Sequence, residues 1–166
     1  INGTFDTFNK TTVPQIAENT IIAIGVDGND VWFGTRGGVS KYSKVDNKWS
    51  LYNVSSGLLD NKTKAMAVGA NDIWVGTSSG LNRYRKDSKV WESYGTGQGL
   101  VSNKVTAIGV DGDIVWIGTD KGVSKFNTVS NSWKTFTAAD GLQYNYVRNI
   151  IVDEKSIIYV TKERAF

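Results

Sequence analysis

The chain has 166 residues, 40% of them hydrophobic and 21% charged, with 19 Lys and Arg against 16 Asp and Glu and a formal charge of +3. That length suits one domain, and a chain of this size buries roughly 68–70% of its unfolded surface without a metal or disulfide. Cys and His are both absent, which excludes disulfides, zinc sites built on those residues, thiol nucleophiles and every Ser–His or Cys–His mechanism. The mildly basic balance lacks a long charge run and points away from a nucleic-acid binder.

In chain order, Phe5-Asp6-Thr7-Phe8 comes first, a short aromatic segment that matches Trp133-Lys134-Thr135-Phe136 much further on. The first full unit follows. Ile21–Val26 is a mostly apolar run, then come a turn at Asp27-Gly28-Asn29-Asp30, the run Val31–Thr35, a Gly37-Gly38 turn, Val39–Tyr42, a polar turn at 44–47, and Trp49–Tyr52. Short β-branched and aromatic runs bounded by Gly, Asn and Asp are strand signals, and nothing in the unit has helical periodicity. No apolar run approaches the roughly 18 residues of a membrane span, so membrane insertion is not expected. No signal peptide is visible, and an opening on Ile1 is what removal of a leader or upstream domain would leave.

The unit then repeats without a gap. Trp32, Trp74 and Trp116 keep one step of 42 residues, as do Trp49/Trp91/Trp133, Gly34/Gly76/Gly118, Thr35/Thr77/Thr119, Gly38/Gly80/Gly122, Gly57/Gly99/Gly141, Leu58/Leu100/Leu142 and Asn61/Asn103/Asn145. Four strands in a period of about 40–45 residues is the signature of a β-propeller blade. The predicted fold is an all-β propeller of four blades of four antiparallel strands in a single domain, with units 20–62, 63–104 and 105–146. Residues 147–166 restart the unit and stop before a fourth strand, so the fourth blade is read as a composite of 147–166 with 1–19, closed by the N-terminal strand. In this last copy Ile158 stands where Trp is expected and Val160 where Gly is expected. A closed ring removes exposed sheet edges. A strand-swapped homodimer forming one eight-bladed ring ranks second, and a piece of a larger ring third.

The stretches Asp111-Gly112-Asp113-Ile114-Val115-Trp116-Ile117-Gly118-Thr119, Gly122-Val123-Ser124-Lys125-Phe126 and Gly141-Leu142-Gln143-Tyr144-Asn145-Tyr146-Val147 resemble the two-component regulator propeller repeat. The resemblance covers nearly the whole chain. It implies blades like those in periplasmic sensor regions of bacterial hybrid histidine kinases and related extracellular proteins, hence a sensory role and a periplasmic or extracellular location.

Equivalent positions that differ are the informative ones. In a propeller the turn between second and third strands and the loop leading to the next blade share one face. From these come the candidate ligand-binding residues Arg36, Asp60, Lys62, Ser78, Lys104, Asp120, Tyr144, Tyr146 and Arg148, with Ser79, Lys121, Lys162, Glu163, Ser102 and Gln143 beside them. The repeated Trp residues read as packing between blades rather than sugar platforms, with Trp32, Trp74 and Trp116 in the core and Trp49, Trp91 and Trp133 partly exposed. The repeated Asn series, with Asn19, reads as turn residues bonding nearby backbone. The Asp-Gly segments read as hairpin turns, since they lack the ligand spacing of a calcium loop, so neither metal nor cofactor is expected. Glycoside hydrolysis needs two carboxylates roughly 5–9.5 Å apart, and Asp60, Asp120 and Glu163 are the acids expected on this face, with no pair distinguished. The favoured reading is a non-catalytic module recognising a small molecule, glycan or protein. A structural or assembly module is second, and a carbohydrate-active enzyme last.

Overall fold

The computed structural model describes residues 7–153 and 157–161. Fourteen strands among them form three four-stranded antiparallel sheets and one two-stranded sheet. The first sheet holds β1 (Ile21–Asp27), β2 (Asp30–Thr35), β3 (Val39–Ser43) and β4 (Lys48–Tyr52). The second holds β5 (Ala65–Val68), β6 (Asp72–Gly76), β7 (Leu81–Arg85) and β8 (Trp91–Tyr94), and the third β9 (Val105–Asp111), β10 (Ile114–Thr119), β11 (Val123–Asn127) and β12 (Ser132–Phe136). The last pairs β13 (Val147–Val152) with β14 (Ile157–Thr161). Each sheet is an up-and-down meander, and the sheets stack in series with β1 beside β5, β5 beside β9 and β9 beside β13. The expected strand positions hold within a residue or two. The loops add two single-turn 3-10 segments, Val54–Ser56 and Ala138–Asp140, too short to leave a helical period in the sequence.

The Thr-x-x-Gly motif is a hydrogen-bonded turn. Thr35 Oγ1 donates to the Gly38 carbonyl at 2.9 Å and accepts from the Gly37 N–H at 3.0 Å. Thr77 and Thr119 repeat both bonds in the next two sheets. All three threonines are buried, so their hydroxyls must be partnered inside the fold. The Asn series does what the sequence implied: Asn61, Asn103 and Asn145 each accept from the backbone N–H of Val54, Thr96 and Ala138 at 2.8, 2.8 and 2.6 Å. Asn19 accepts from Lys10 N at 2.7 Å in the same way.

Sheets dock through glycine. A Cβ built on Gly34 would stand 2.6 Å from Thr63 Cγ2, and one on Gly118 2.7 Å from Val147 Cγ1, while the same atom on Gly76 would collide with Val105 Cγ1. Val105 and Val147 open the next sheet, and Thr63 stands two residues before β5. The large side chains follow the same order. Trp32 packs on Tyr84, Trp74 on Phe126 and Trp116 on Tyr159, each ring reaching into the next sheet. Trp32 and Trp74 are buried as expected. Trp116, expected in the core, is only half-buried, although like the other two it meets two aromatic rings, Phe136 and Tyr159. A cation from the third strand sits over each of these tryptophans: Lys41 over Trp32, Arg83 over Trp74 and Lys125 over Trp116.

The N-terminal segment copies the end of a unit. Tyr52 meets Tyr84 and Trp91 of the next sheet at 5.5 and 5.6 Å, Tyr94 meets Phe126 and Trp133 at 5.3 and 5.7 Å, and Phe8 meets Tyr42 and Trp49 at 5.8 and 5.5 Å. Ala17 N donates to Ser40 Oγ at 2.9 Å, as Leu59 N does to Asn82 Oδ1 and Val101 N to Ser124 Oγ. Phe8 and the residues after it therefore hold the place of a fourth strand's end and its connection. Residues 1–6 and 162–166, on which the pairing of the two ends depends, lie outside the described residues.

The two end faces differ from the internal seams. Ile151 and Val160 occupy the places of Gly109 and Gly118 one unit earlier, and both are exposed. On the opposite end Ile24 and Val26 are each 61% exposed, whereas their counterparts Met66 and Val68 pack against the first sheet. Beside them Phe8, Ile16, Ile21, Phe33 and Trp49 line a groove of about 470 Å³.

Two predictions follow from this packing. Gly76→Val should lower stability by at least ~2 kcal/mol through overpacking at the second seam, read as a Tm fall of about 5 °C or more in thermal unfolding. Gly97→Ala, with open space around it, should leave Tm within about 1 °C. Burial pushes the Tyr159 phenol up to about 12 and raises Tyr84 and Tyr94 as well. The folded state thus favours the neutral phenols, and the stability they contribute is complete below about pH 10 and lost as pH rises toward about 12. Melts at about pH 9 and about pH 11.5 should show a steep drop in Tm that Tyr159→Phe makes smaller; an equal drop in the variant would contradict this.

Candidate functional site

The Thr-x-x-Gly turns and the loops between sheets come together beside the first strands. The second residue of each turn, next to the buried threonine, is Arg36, Ser78 or Asp120; the first two are exposed. The loops are pinned at three points: by the Asn–backbone bonds, by the docking of Leu59 and Val101 on the next sheet, and by a buried leucine at Leu58 and Leu100. Each loop then delivers the residues just before and inside the next first strand. Between the second, third and last sheets these parts enclose a groove of about 300 Å³, lined by Lys64, Ser78, Lys104, Val105, Thr106, Asp120, Tyr146 and Arg148.

At its floor the Asp120 side chain is only 5% exposed. Ser102 Oγ donates to its Oδ1 at 2.6 Å, and Lys104 Nζ lies 3.7 Å from Oδ2. The Asp120 N–H donates to the Lys104 carbonyl at 3.3 Å, tying turn to loop. Thr106 Oγ1 donates to the Val147 carbonyl at 2.6 Å and links the third sheet to the last. Lys64 and Arg148 are exposed and form no ion pair among the described residues.

Of the nine residues the sequence singles out, Ser78, Lys104, Asp120, Tyr146 and Arg148 line this groove. The other four do not. Arg36 and Lys62 are exposed, Tyr144 is half-buried, and Asp60 accepts from the Lys62 N–H at 3.0 Å within its own loop. Lys64, Val105 and Thr106 were missed. The signal for Lys64 was present: Ile22, Lys64, Thr106 and Arg148 are one repeat position with four different side chains. Lys162 and Glu163 lie outside the described residues. Among the described residues no three His, Cys, Asp or Glu side chains gather as metal ligands would.

A second cavity, of about 500 Å³, opens between the second and third sheets at the opposite ends of the strands, among the Gly69–Asn71, Lys86–Asp87 and Gly112–Asp113 turns. Its wall includes the buried pair Asp72–Arg83, Oδ2 to Nη2 at 2.8 Å, with Glu92 at 3.5 Å from Nη1. Burial works against the Arg83 charge, but the hydrogen bonds it donates to Asp72 and Tyr94 outweigh it and hold the guanidinium above its ordinary range. Asp30–Lys41 is the equivalent pair in the first sheet, and Ile114 replaces the acid in the third. These substitutions mark the pair as one of several solutions to covering the Trp74 position. Asp72→Ala, which strands a buried cation, should cost about 3–5 kcal/mol. Asp72→Ile combined with Arg83→Lys, the third-sheet solution, should cost much less in a denaturant titration; equal costs would show that the ion pair is not what matters.

Sheets of this form, each a four-stranded meander stacked on the next through large aromatics, define a β-propeller type of fold. Comparison with solved structures agrees. The extracellular domain of a hybrid two-component system from B. thetaiotaomicron, BT3049, superposes with a TM-score of 0.80 at 19% identity, covering 93% of this chain and 22% of that one. The extracellular domain of BT4673 from the same organism gives 0.69 at 17% identity, covering 90% of this chain and 25% of that one. The WD40 repeats of RRP9 give 0.64 at 13%, covering 78% and 41%. The chain thus shares the fold of part of these extracellular domains and spans about a quarter or less of their length. No family model matches the chain, and no curated protein matches it. No helix among the described residues is long and apolar enough to cross a membrane.

Proposed function

We propose that the chain is a non-catalytic recognition module of a sensory protein, acting in the periplasm or outside the cell and binding its ligand in the groove of Ser78, Lys104, Asp120, Tyr146 and Arg148. One observation carries this: five residues picked from the sequence, for variation within a fixed framework or for clustering with Tyr144 and Tyr146 in the most aromatic loop, line one groove spanning three sheets. Preorganised loops on a rigid scaffold are how such folds recognise ligands. The likeness to extracellular domains of two-component systems supports the sensory role and the location. Two of the three acids expected on this face support a role without bond-breaking chemistry. Asp120 is committed to Ser102 and Lys104, and Asp60 to its own loop, so neither is placed as a free proton donor. A screen of small molecules and glycans should find a ligand whose affinity falls at least ~10-fold in Tyr146→Ala and in Arg148→Ala with Tm unchanged, as loss of a central contact would give. Undiminished affinity in both variants would overturn the site.

A second reading, an assembly module, is favoured by the apolar end face of β1 with its groove of Phe8, Ile16, Phe33 and Trp49. The closed four-blade ring and the strand-swapped dimer both join this face to the one bearing Ile151 and Val160, a contact built differently from the glycine seams. Light scattering separates them: 18.2 kDa for the closed monomer, twice that for the swapped ring.

A further inference from the structure

We infer that the groove takes an anion, a ligand carrying carboxylate, phosphate or sulfate groups with at least two negative charges; this rests on the recognition reading above. Among the described residues the lining holds three cations, Lys64, Lys104 and Arg148, against one carboxylate. Asp120 is spent on Ser102 Oγ at 2.6 Å and on Lys104 at 3.7 Å. Lys64 and Arg148 are left facing the same groove of about 300 Å³ with no acid paired to either among the described residues. Like charges held in one concavity repel, and a bound anion relieves that repulsion while gaining both attractions.

The cations come from different sheets, so the fold and not local sequence sets them together. Lys64 and Arg148 occupy one repeat position on either side of Thr106, whose hydroxyl is already donated to the Val147 carbonyl. The third sheet thereby places an uncharged side chain at this repeat position. Arg148 offers a planar fork suited to carboxylate or phosphate oxygens, and Lys64 a point charge. Ser78 and Tyr146 border the groove and suit the uncharged part of a ligand.

Calorimetric titration of the full chain with sodium tripolyphosphate and with citrate separates phosphate from carboxylate sources, and maltotriose serves as a neutral probe. Amide shifts in NMR spectra locate each probe. At least one anion should bind in the groove, weaken by about tenfold or more between low salt and about 0.2 M NaCl, and weaken at least ~10-fold in Lys64→Gln/Arg148→Gln, with Tm unchanged or raised. Lys48→Gln, an exposed site on β4 away from the groove, should change nothing. Anion binding undiminished in the double variant, or equally reduced by Lys48→Gln, overturns the inference. Maltotriose shifting the groove amides while neither anion does leaves the recognition reading standing and the anion class wrong. If no probe shifts those amides, both fall.

Discussion

The contact of a β-branched side chain with the glycine of the preceding sheet sets everything else in this molecule. Thr63, Val105 and Val147 can enter their neighbours only because Gly34, Gly76 and Gly118 have no Cβ. That close approach fixes the spacing of the sheets, and the spacing lets Trp32 and Trp74 reach across to Tyr84 and Phe126 and be sealed. A protein interior packs densely and tolerates little change in volume, so a glycine that receives a neighbouring side chain is as specific as the tryptophan beside it.

The same seams position the groove. Each glycine is followed by the threonine that closes the turn, so the rule that joins two sheets also aims residues 36, 78 and 120. The β-branched knob likewise stands at the end of a connecting loop, with residues 62, 104 and 146 just before it and 64, 106 and 148 just after. Docking and presentation are thus one device. The framework residues cannot vary without loss of packing, and the residues between them are free to differ from sheet to sheet.

Much of this was legible because it repeats. The strands, the turn glycines and the role of the Asn series follow from one unit read three times, and the resemblance to a sensor propeller repeat agrees with the fold of the structural neighbours. The repeat also pointed to the face, and five of the nine chosen residues meet there. The remainder depended on distances along which a repeat carries no information. Arg36 and Asp60 belong to the first sheet's turn and loop, while the groove lies between the later three. Lys64 escapes a reading of the loops because the repeat register sets it in the first-strand run, one residue before β5 begins. The half-burial of Trp116 falls beside the last sheet, where the repeat pattern degrades at Ile151 and Val160.

We propose the groove between the second, third and last sheets as the place where this chain meets a charged ligand. A crystal of the chain soaked in selenate tests that most directly, since selenium's anomalous signal locates the anion without prior assumption. The account predicts an anomalous peak between Lys64 and Arg148, near Ser78 and Tyr146, that disappears in the double Gln variant. A peak confined to the cavity around Arg85 and Lys86 on the opposite face, with the groove empty, would contradict it.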